Sequence, residues 1–347
     1  DQNLIMIDGM AIYQKNHLFG FLSSIPPNSI KNIQVYKSNI PSQYGGYLSS
    51  VISLTTKNGD GLKPKASISS NFMSNSLSLE APLSKKTNFI INYRQSLDGA
   101  SPSKLYESIK SYITGDDQFN LISEIANTQD TKTSSFDINT SYNDFIGKIS
   151  FLASPNQRIS HTFVHGKDII SEKRDYFGFE NIFANDSIQF QSRTNGIGIG
   201  QILNWFSNWN KSYSSKISFS KYSFSSKYFS SQEQLFDDTK ISIGDFQENN
   251  SLTSRVLKIN QNFKGIKSHN ISFNIEDIHY KNVLKNTIMD GMQSKKSNLE
   301  QKSNIISGSI EDLFSANKYL KFQIGNRISY FTGTEKFYNA PRLSILL

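Results

Sequence analysis

Lys321-Phe322-Gln323-Ile324-Gly325-Asn326-Arg327-Ile328-Ser329-Tyr330 decides how this chain folds. Phe322, Ile324, Ile328 and Tyr330 share one parity, and Lys321, Gln323, Arg327 and Ser329 share the other. A β-strand turns successive side chains to opposite faces, so this alternation makes a strand with one apolar and one polar face. Thr87 to Arg94 repeats it, with Phe89, Ile91 and Tyr93 opposite Asn88, Asn92 and Arg94. His269 to Glu276 sets Ile271, Phe273 and Ile275 against Asn270, Ser272, Asn274 and Glu276. About twelve such segments follow Gly61, most of them about ten residues or longer. Strands of soluble domains run to about five or six residues, whereas a tilted bilayer crossing takes about nine to eleven.

The connections carry a second signal. Leu83-Ser84-Lys85-Lys86, Ser154-Pro155-Asn156-Gln157, Ser207-Asn208-Trp209-Asn210, Gly265-Ile266-Lys267-Ser268 and Ser315-Ala316-Asn317-Lys318 read as tight turns. Between them, 97–142, 169–191, 230–250 and 284–302 read as long polar connections. Short and long connections alternate down the chain. Bacterial outer-membrane barrels have short periplasmic turns and long extracellular loops, and antiparallel strands visit the two ends in turn. The expectation is that the long connections lie at one rim and the tight turns at the other. Trp205, Phe206, Trp209 and Tyr213 gather at one tight turn, where a membrane barrel places its aromatic girdle.

Composition agrees with this reading. Hydrophobic residues are 37% and charged residues 19% of the 347-residue chain. Mean hydropathy is −0.44. No run of about 18 apolar residues occurs, so a helical membrane span is excluded. A barrel is not, because its strands show only alternate side chains to lipid. No cysteine is present, which rules out disulfides, thiolate metal sites and a cysteine nucleophile. The net charge of +8 is dispersed. Its densest stretch, Lys295-Lys296 with Lys302, is too sparse for a nucleic-acid footprint. No basic and then apolar leader follows Asp1. An outer-membrane reading therefore expects further sequence upstream, and Leu343 to Leu347 resembles a strand cut short.

The text before Lys57-Asn58-Gly59-Asp60-Gly61 is different. Leu4 to Ile7, Ile33 to Tyr36 and Val51 to Thr56 read as strands, and His17 to Ser24 as a short helical turn. This makes a small α+β unit of about 58 residues, near the lower limit for folding alone.

Three stretches of this unit carry a resemblance. Leu4-Ile5-Met6-Ile7-Asp8-Gly9-Met10 resembles the strand and turn of a TonB-dependent receptor plug. Pro27-Asn28-Ser29-Ile30-Lys31-Asn32-Ile33-Gln34-Val35-Tyr36-Lys37 resembles the strand that follows in that family. Tyr44-Gly45-Gly46, with Ser49-Ser50-Val51-Ile52-Ser53-Leu54-Thr55-Thr56-Lys57, resembles the end of the plug. His17-Leu18-Phe19-Gly20 and Ala340-Pro341-Arg342-Leu343-Ser344 resemble the Bacteroidota type. Many members have Arg just before the Tyr-Gly pair. This chain has Ser42-Gln43 there, which weakens the expectation of a plug–barrel salt bridge.

The resemblance implies a mostly β fold, with the C-terminal part of an α+β plug at 1–58. About half of a 22-stranded antiparallel transmembrane barrel would follow at 62–347. It implies Asp8, Gly9, Tyr44, Gly45 and Gly46 as structural and gating positions. It also implies an outer-membrane location and energised uptake of a scarce siderophore, vitamin, glycan or peptide. The TonB energy-coupling protein would act through a Ton box upstream of Asp1, and a surface lipoprotein is a candidate partner. The expected neighbours are thus outer-membrane lipid and protein rather than nucleic acid, with no cofactor or resident metal. The runner-up function is a non-transporting plugged barrel that acts as a surface adhesin or assembly scaffold. A soluble secreted β-protein is a third reading.

No residue constellation suggests an enzyme. His161 and His165 share a strand face but stand about 13 Å apart, too far for one metal. Gly196-Ile197-Gly198-Ile199-Gly200 lacks the lysine and the helix of a phosphate loop. Its alternate glycines leave one strand face bare for close packing. Asp116-Asp117 and Asp237-Asp238 are adjacent carboxylates, which a strand would point apart. Ser101-Pro102-Ser103-Lys104-Leu105-Tyr106-Glu107-Ser108-Ile109 reads as a capped helix in the longest connection.

Overall fold

The computed structural model describes residues 3–17, 20, 22–47, 49–97, 133–177, 187–236, 239–290 and 293–346. The N-terminal unit holds β1 (Leu4–Ile7), β2 (Met10–Ala11), β3 (Asn16–His17), β4 (Leu22–Ser23), β5 (Ile30–Tyr36) and β6 (Val51–Thr56). Four of these form a sheet in the order β2-β1-β6-β5, with β1 and β6 parallel. Asp8 and Gly9 turn β1 into β2 at positive φ, 54° and 105°. A two-residue hairpin demands that conformation, and Asp-Gly supplies it at low cost.

The expected α+β character is corrected here. The described residues of this unit contain no α-helix; 3-10 conformation occurs at Pro27–Ser29 and at Gly20. His17 to Ser24, expected as a helical turn, keeps 3-10 conformation at Gly20 but is framed by a small hairpin in which Asn16 and His17 pair with Ser23 and Leu22. The polar partners that His17 finds across the fold outweigh a weak local helix preference.

After Gly61 the chain forms one antiparallel sheet of twelve strands in sequence order. They are β7 (Lys65–Ser70), β8 (Ser74–Ser84), β9 (Thr87–Ser96), β10 (Thr133–Ser154), β11 (Gln157–Phe177) and β12 (Ser187–Asn208). Next come β13 (Tyr213–Phe236), β14 (Thr239–Phe263), β15 (His269–Asp290), β16 (Gln293–Ser315), β17 (Lys321–Phe331) and β18 (Lys336–Leu346). All five expected tight turns join neighbouring strands at one rim.

The opposite rim differs from expectation. Strand β13 pairs with β14 up to Phe236 and Thr239, and β15 with β16 up to Asp290 and Gln293. So 230–250 and 284–302 are the far halves of long hairpins rather than loops. The connections expected at 97–142 and 169–191 are likewise shortened, because β10 begins at Thr133 and β11 runs to Phe177. The expected helix at 101–109 lies outside the described residues. The physical reason for the misreading is exposure on both faces. All ten residues from Gln293 to Lys302 are exposed. No apolar side is needed there, and the period-2 signal disappears while the backbone stays extended.

The sheet wraps around the N-terminal unit. Contacts from that unit reach Arg94 on β9 and Arg342 on β18. Nine strand spacings on a flat sheet would measure roughly 43 Å. A compact body of about 55 residues is only roughly 26 Å across. The sheet must therefore curve, with the unit on its concave, inward face.

The two faces are inverted relative to a water-soluble protein. On β10 the buried inward positions include Thr140, Asp144, Lys148 and Ser150, while Ile149 and Phe151 point outward and are exposed. Register pairing lines up Phe89, Ile149, His161, Leu203, Phe219 and Leu257 across six strands on the outward face. On β17 the apolar Ile324 and Ile328 are outward and half exposed, and Gln323 and Arg327 are buried inward.

Candidate functional site

The inward face and the N-terminal unit meet over a mixed surface. Its apolar part joins Ile7, Met10, Ile12, Ile25 and Leu54 to Ile146, Val164, Ile202 and Tyr222 of the sheet. The alternate glycines of β12 lie here and face inward. A Cβ on Gly200 would fall 2.6 Å from Met10 Cε and 2.5 Å from Tyr222 Cδ2. One on Gly198 would fall 2.7 Å from Gln14 Oε1. The bare strip is used for close packing, although side chains rather than backbone fill it.

Three polar patches surround that core. At the first, Asp8 is buried at the β1–β2 turn. Its carboxylate accepts hydrogen bonds from Thr56 N at 2.9 Å, Thr56 Oγ1 at 2.5 Å and Thr162 Oγ1 at 2.7 Å. Lys148 Nζ lies 3.1 Å away. Burial alone would raise the Asp8 pKa, but the Lys148 charge and the three donors outweigh it and hold the group below its ordinary value. The main-chain oxygen of Asp8 accepts from Lys216 Nζ at 3.1 Å. Asn204 Nδ2 donates to the same oxygen at 3.4 Å, so Asp8 ties the unit to four strands, β10 to β13.

The second patch gathers around Tyr44, Gly45 and Gly46. The sheet supplies the arginines that the N-terminal unit lacks. Arg327 donates to the carbonyl of Gln43 at 2.9 Å and to Glu276 at 2.8 Å. Arg342 donates to the carbonyls of Ile40, Pro41 and Tyr44 at 2.8, 2.7 and 2.6 Å. Glu311 accepts from Ser42 N at 2.5 Å. Ser42-Gln43 therefore contributes backbone, not charge, and the polar link survives the missing arginine. Gly45 is needed for room, since a Cβ there would lie 2.4 Å from Arg327 Nε. Gly46 has φ +79° and serves the turn. Burial pushes the Tyr44 hydroxyl well up and the Tyr47 hydroxyl up to about 12, so both stay protonated.

The third patch centres on His17, which is not among the expected site residues. His17 is buried and bridges two aspartates of the sheet, with Nε2 2.8 Å from Asp144 and Nδ1 2.5 Å from Asp168. Arg94 donates to Asp144 at 2.9 and 2.5 Å and to the Ser23 carbonyl at 2.5 Å. Gln14 donates to Asp168 at 2.8 Å. The Tyr142 ring stacks on His17 at 4.4 Å. Burial alone would lower the His17 pKa; the hydrogen bonds and charges of Asp144 and Asp168 reverse this and raise it above 6.5. Protonated, His17 donates from both ring nitrogens and balances the buried carboxylates. No local motif announces this group, because its partners lie 127 and 151 residues away.

Two cavities flank these patches. One, of about 460 Å³, lies beside Asp8 near the tight-turn rim. The other, of about 490 Å³, is lined by Tyr13, Tyr44, Tyr47, Tyr280, Glu276 and Arg327.

His161 and His165 lie on the outward parity of β11, away from all three patches. No group of three metal-ligating side chains occurs among the described residues. Asp116-Asp117 and Asp237-Asp238 lie outside those residues. Trp205 and Trp209 pack edge to face at 5.8 Å, and Trp209 donates to Ser215 at 2.7 Å, at the tight-turn rim.

No protein-family model and no curated protein matches the sequence. Solved structures do. The outer membrane transporter YddB from Escherichia coli superposes with a TM-score of 0.57 at 12% identity, over 99% of this chain and 50% of that one. The pyoverdine outer membrane receptor FpvA from Pseudomonas aeruginosa gives 0.54 at 11% identity, over 99% and 51%. BauA, the ferric preacinetobactin receptor from Acinetobacter baumannii, gives 0.52 at 10% identity, over 99% and 53%. The chain spans about half the length of each of these structures. Over that span it shares the fold of outer membrane transporters and receptors.

Proposed function

We propose that this chain is part of a TonB-dependent outer-membrane receptor that takes up a scarce nutrient with energy from the inner membrane. In this reading residues 1–58 are the C-terminal part of the plug, and 62–347 are the first part of a barrel whose outward row meets lipid. The tight turns face the periplasm and the long hairpins stand outside the cell. One observation carries the reading: a twelve-stranded sheet with an exposed apolar outward face curves around a small unit, which it holds by a compact apolar contact ringed with polar patches. The polar patches can be broken and remade, as a gate requires. The fold shared with outer membrane transporters supports it, as do the Asp8-Gly9 and Tyr44-Gly45-Gly46 motifs. Coupling would run through a Ton box and the TonB protein, and a surface lipoprotein would be a partner. The activity in this reading is transport rather than catalysis.

The test is a strain lacking the gene, grown with single ferric siderophores, cobalamin, glycans or peptides as the limiting source. The account expects one nutrient class to be lost, with the same loss when the energy-coupling protein is removed. The protein should fractionate with the outer membrane and show heat-modifiable gel mobility. Soluble extraction without detergent would overturn the reading.

A further inference from the structure

The cavity beside Asp8 has an unusual charge. Lys31 of β5, Lys148, Arg158, Lys216 and Lys258 all line it, and Asp8 is the one carboxylate among its lining residues. That carboxylate is already engaged by Lys148, Thr56 and Thr162. Lys258 lies 3.6 Å from Glu276 at the edge of the neighbouring cavity. Lys216 has the Asp8 carbonyl for a hydrogen-bond partner. Lys31 and Arg158 have no ion-pair partner among the described residues, and both are exposed. Three cations from two separate parts of the fold thus face one hollow without a compensating carboxylate.

We propose that this cavity binds a small multivalent oxyanion of the phosphate class. A metal ion is refused by the charge, and a single monovalent carboxylate would leave most of the excess uncovered. Arg158 offers a planar fork suited to tetrahedral oxyanions, and the lysines add point charges. Ser160 and Asn260 also line the hollow and offer neutral hydrogen-bonding groups, while Ser218 and Asn204 are tied to each other and to the Asp8 carbonyl. The volume of about 460 Å³ accommodates a diphosphate group with part of its carrier. A bound anion would link Lys31 of the N-terminal unit to Arg158 and Lys216 of the sheet, and so stabilise their docking. The site lies two residues into β11 from the tight Pro155-Asn156 turn, at the rim opposite the long hairpins. It stands whether or not the protein transports anything.

The experiment is titration calorimetry of the detergent-solubilised protein with inorganic pyrophosphate at fixed ionic strength, with sodium chloride as the reference. Saturable binding to one site is expected, with a rise in unfolding temperature. Lys31→Gln and Arg158→Gln should each weaken it about tenfold, a loss of about 1.4 kcal/mol. Both side chains are exposed, so the variants should fold, which unchanged heat-modifiable mobility would verify. Lys302→Gln, an exposed lysine on the far half of β16, should bind like the parent. Equal affinity in all three variants, or no saturable heat above the chloride reference, would overturn the site. Orthophosphate, pyrophosphate and a sugar diphosphate titrated in parallel distinguish a free inorganic ligand from a carried one.

Discussion

The two halves of the long strands are built from the same backbone and live in different surroundings. Near the tight turns, outward positions are mostly apolar and inward ones mostly polar, apart from the strip of Ile146, Val164, Ile202 and Tyr222 that packs on the N-terminal unit, so the strands announce themselves by alternation. Toward the far rim the strands stay paired, with bulges at Thr133/Ser135 and Gln232/Glu233, and carry exposed polar residues on both faces with scattered apolar ones such as Ile241, Ile288 and Leu299. Strand β16 has 23 residues. A bilayer crossing takes about nine to eleven, so roughly half of it stands clear of any membrane. The difference teaches that hydrophobic periodicity reports what a strand faces, and not whether a strand is there.

Ion pairs sharpen this comparison most. Asp8 and Lys148 are buried near the tight-turn rim, and Asp8→Asn leaves the lysine without its charge partner. A loss of about 3 kcal/mol is expected, read as the urea midpoint of the detergent-folded protein by tryptophan fluorescence. On the far half, Glu300 stands between Lys281 and Lys302 at 3.1 and 3.0 Å with all three exposed. Glu300→Gln should leave the midpoint where it was. Equal losses at the two sites would break the distinction.

Much of the fold was legible, for reasons particular residues make plain. Val51 to Thr56 and Leu4 to Ile7 were found because their apolar runs are short and bounded. The five tight turns were found because turn chemistry is local. The far hairpins were not, since 293–302 is exposed on both faces and the alternation of Ile241 and Ile243 is too brief to stand out from a solvated loop. At the candidate site, Asp8, Gly9, Tyr44, Gly45 and Gly46 were placed by resemblance, but their partners were not. Arg327 and Arg342 reach the unit across 284 and 298 residues of sequence. His17 was quoted in a motif, but its role was missed, because nothing local marks it until the strands bring Asp144 and Asp168 to it.

Charge placed on the outward face tests the same contrast with a smaller effect. Leu203 lies on the apolar row and is half exposed, as Leu299 is on the far half. Leu203→Arg should cost about 2 to 3 kcal/mol in lipid vesicles. Leu299→Arg should cost nothing measurable. Folding yield by heat-modifiable mobility reads both, and a tolerated arginine at 203 would contradict a lipid-facing row.

The smallest effect concerns pH. Folded His17 holds its proton more tightly than a free histidine, because burial is outweighed by Asp144 and Asp168. Its contribution is complete below the unfolded value of about 6.5 and fades as pH rises through the higher folded value. The groups facing it are Asp144, Asp168, Arg94 and Tyr142, and Gln14 buttresses Asp168. Protease cleavage within the N-terminal unit should therefore be slow at about pH 6 and faster at about pH 9. His17→Gln should flatten this profile. A parent protein with a flat profile would remove His17 from the docking account.

The central claim is that one face of the sheet meets lipid while the other holds the N-terminal unit. The chain lacks cysteine, so single cysteines carrying spin labels can be placed along β12 and read by collision with dissolved oxygen and with a water-soluble nickel chelate. The account predicts oxygen-rich, chelate-poor signals at Ile197, Ile199, Gln201 and Leu203, alternating with protected signals at Gly196, Ile202 and Asn204. At Gln191 and Arg193, on the same parity but the far half, the chelate should dominate. Chelate access that is uniform along the strand, or oxygen access at the inward positions, would contradict it.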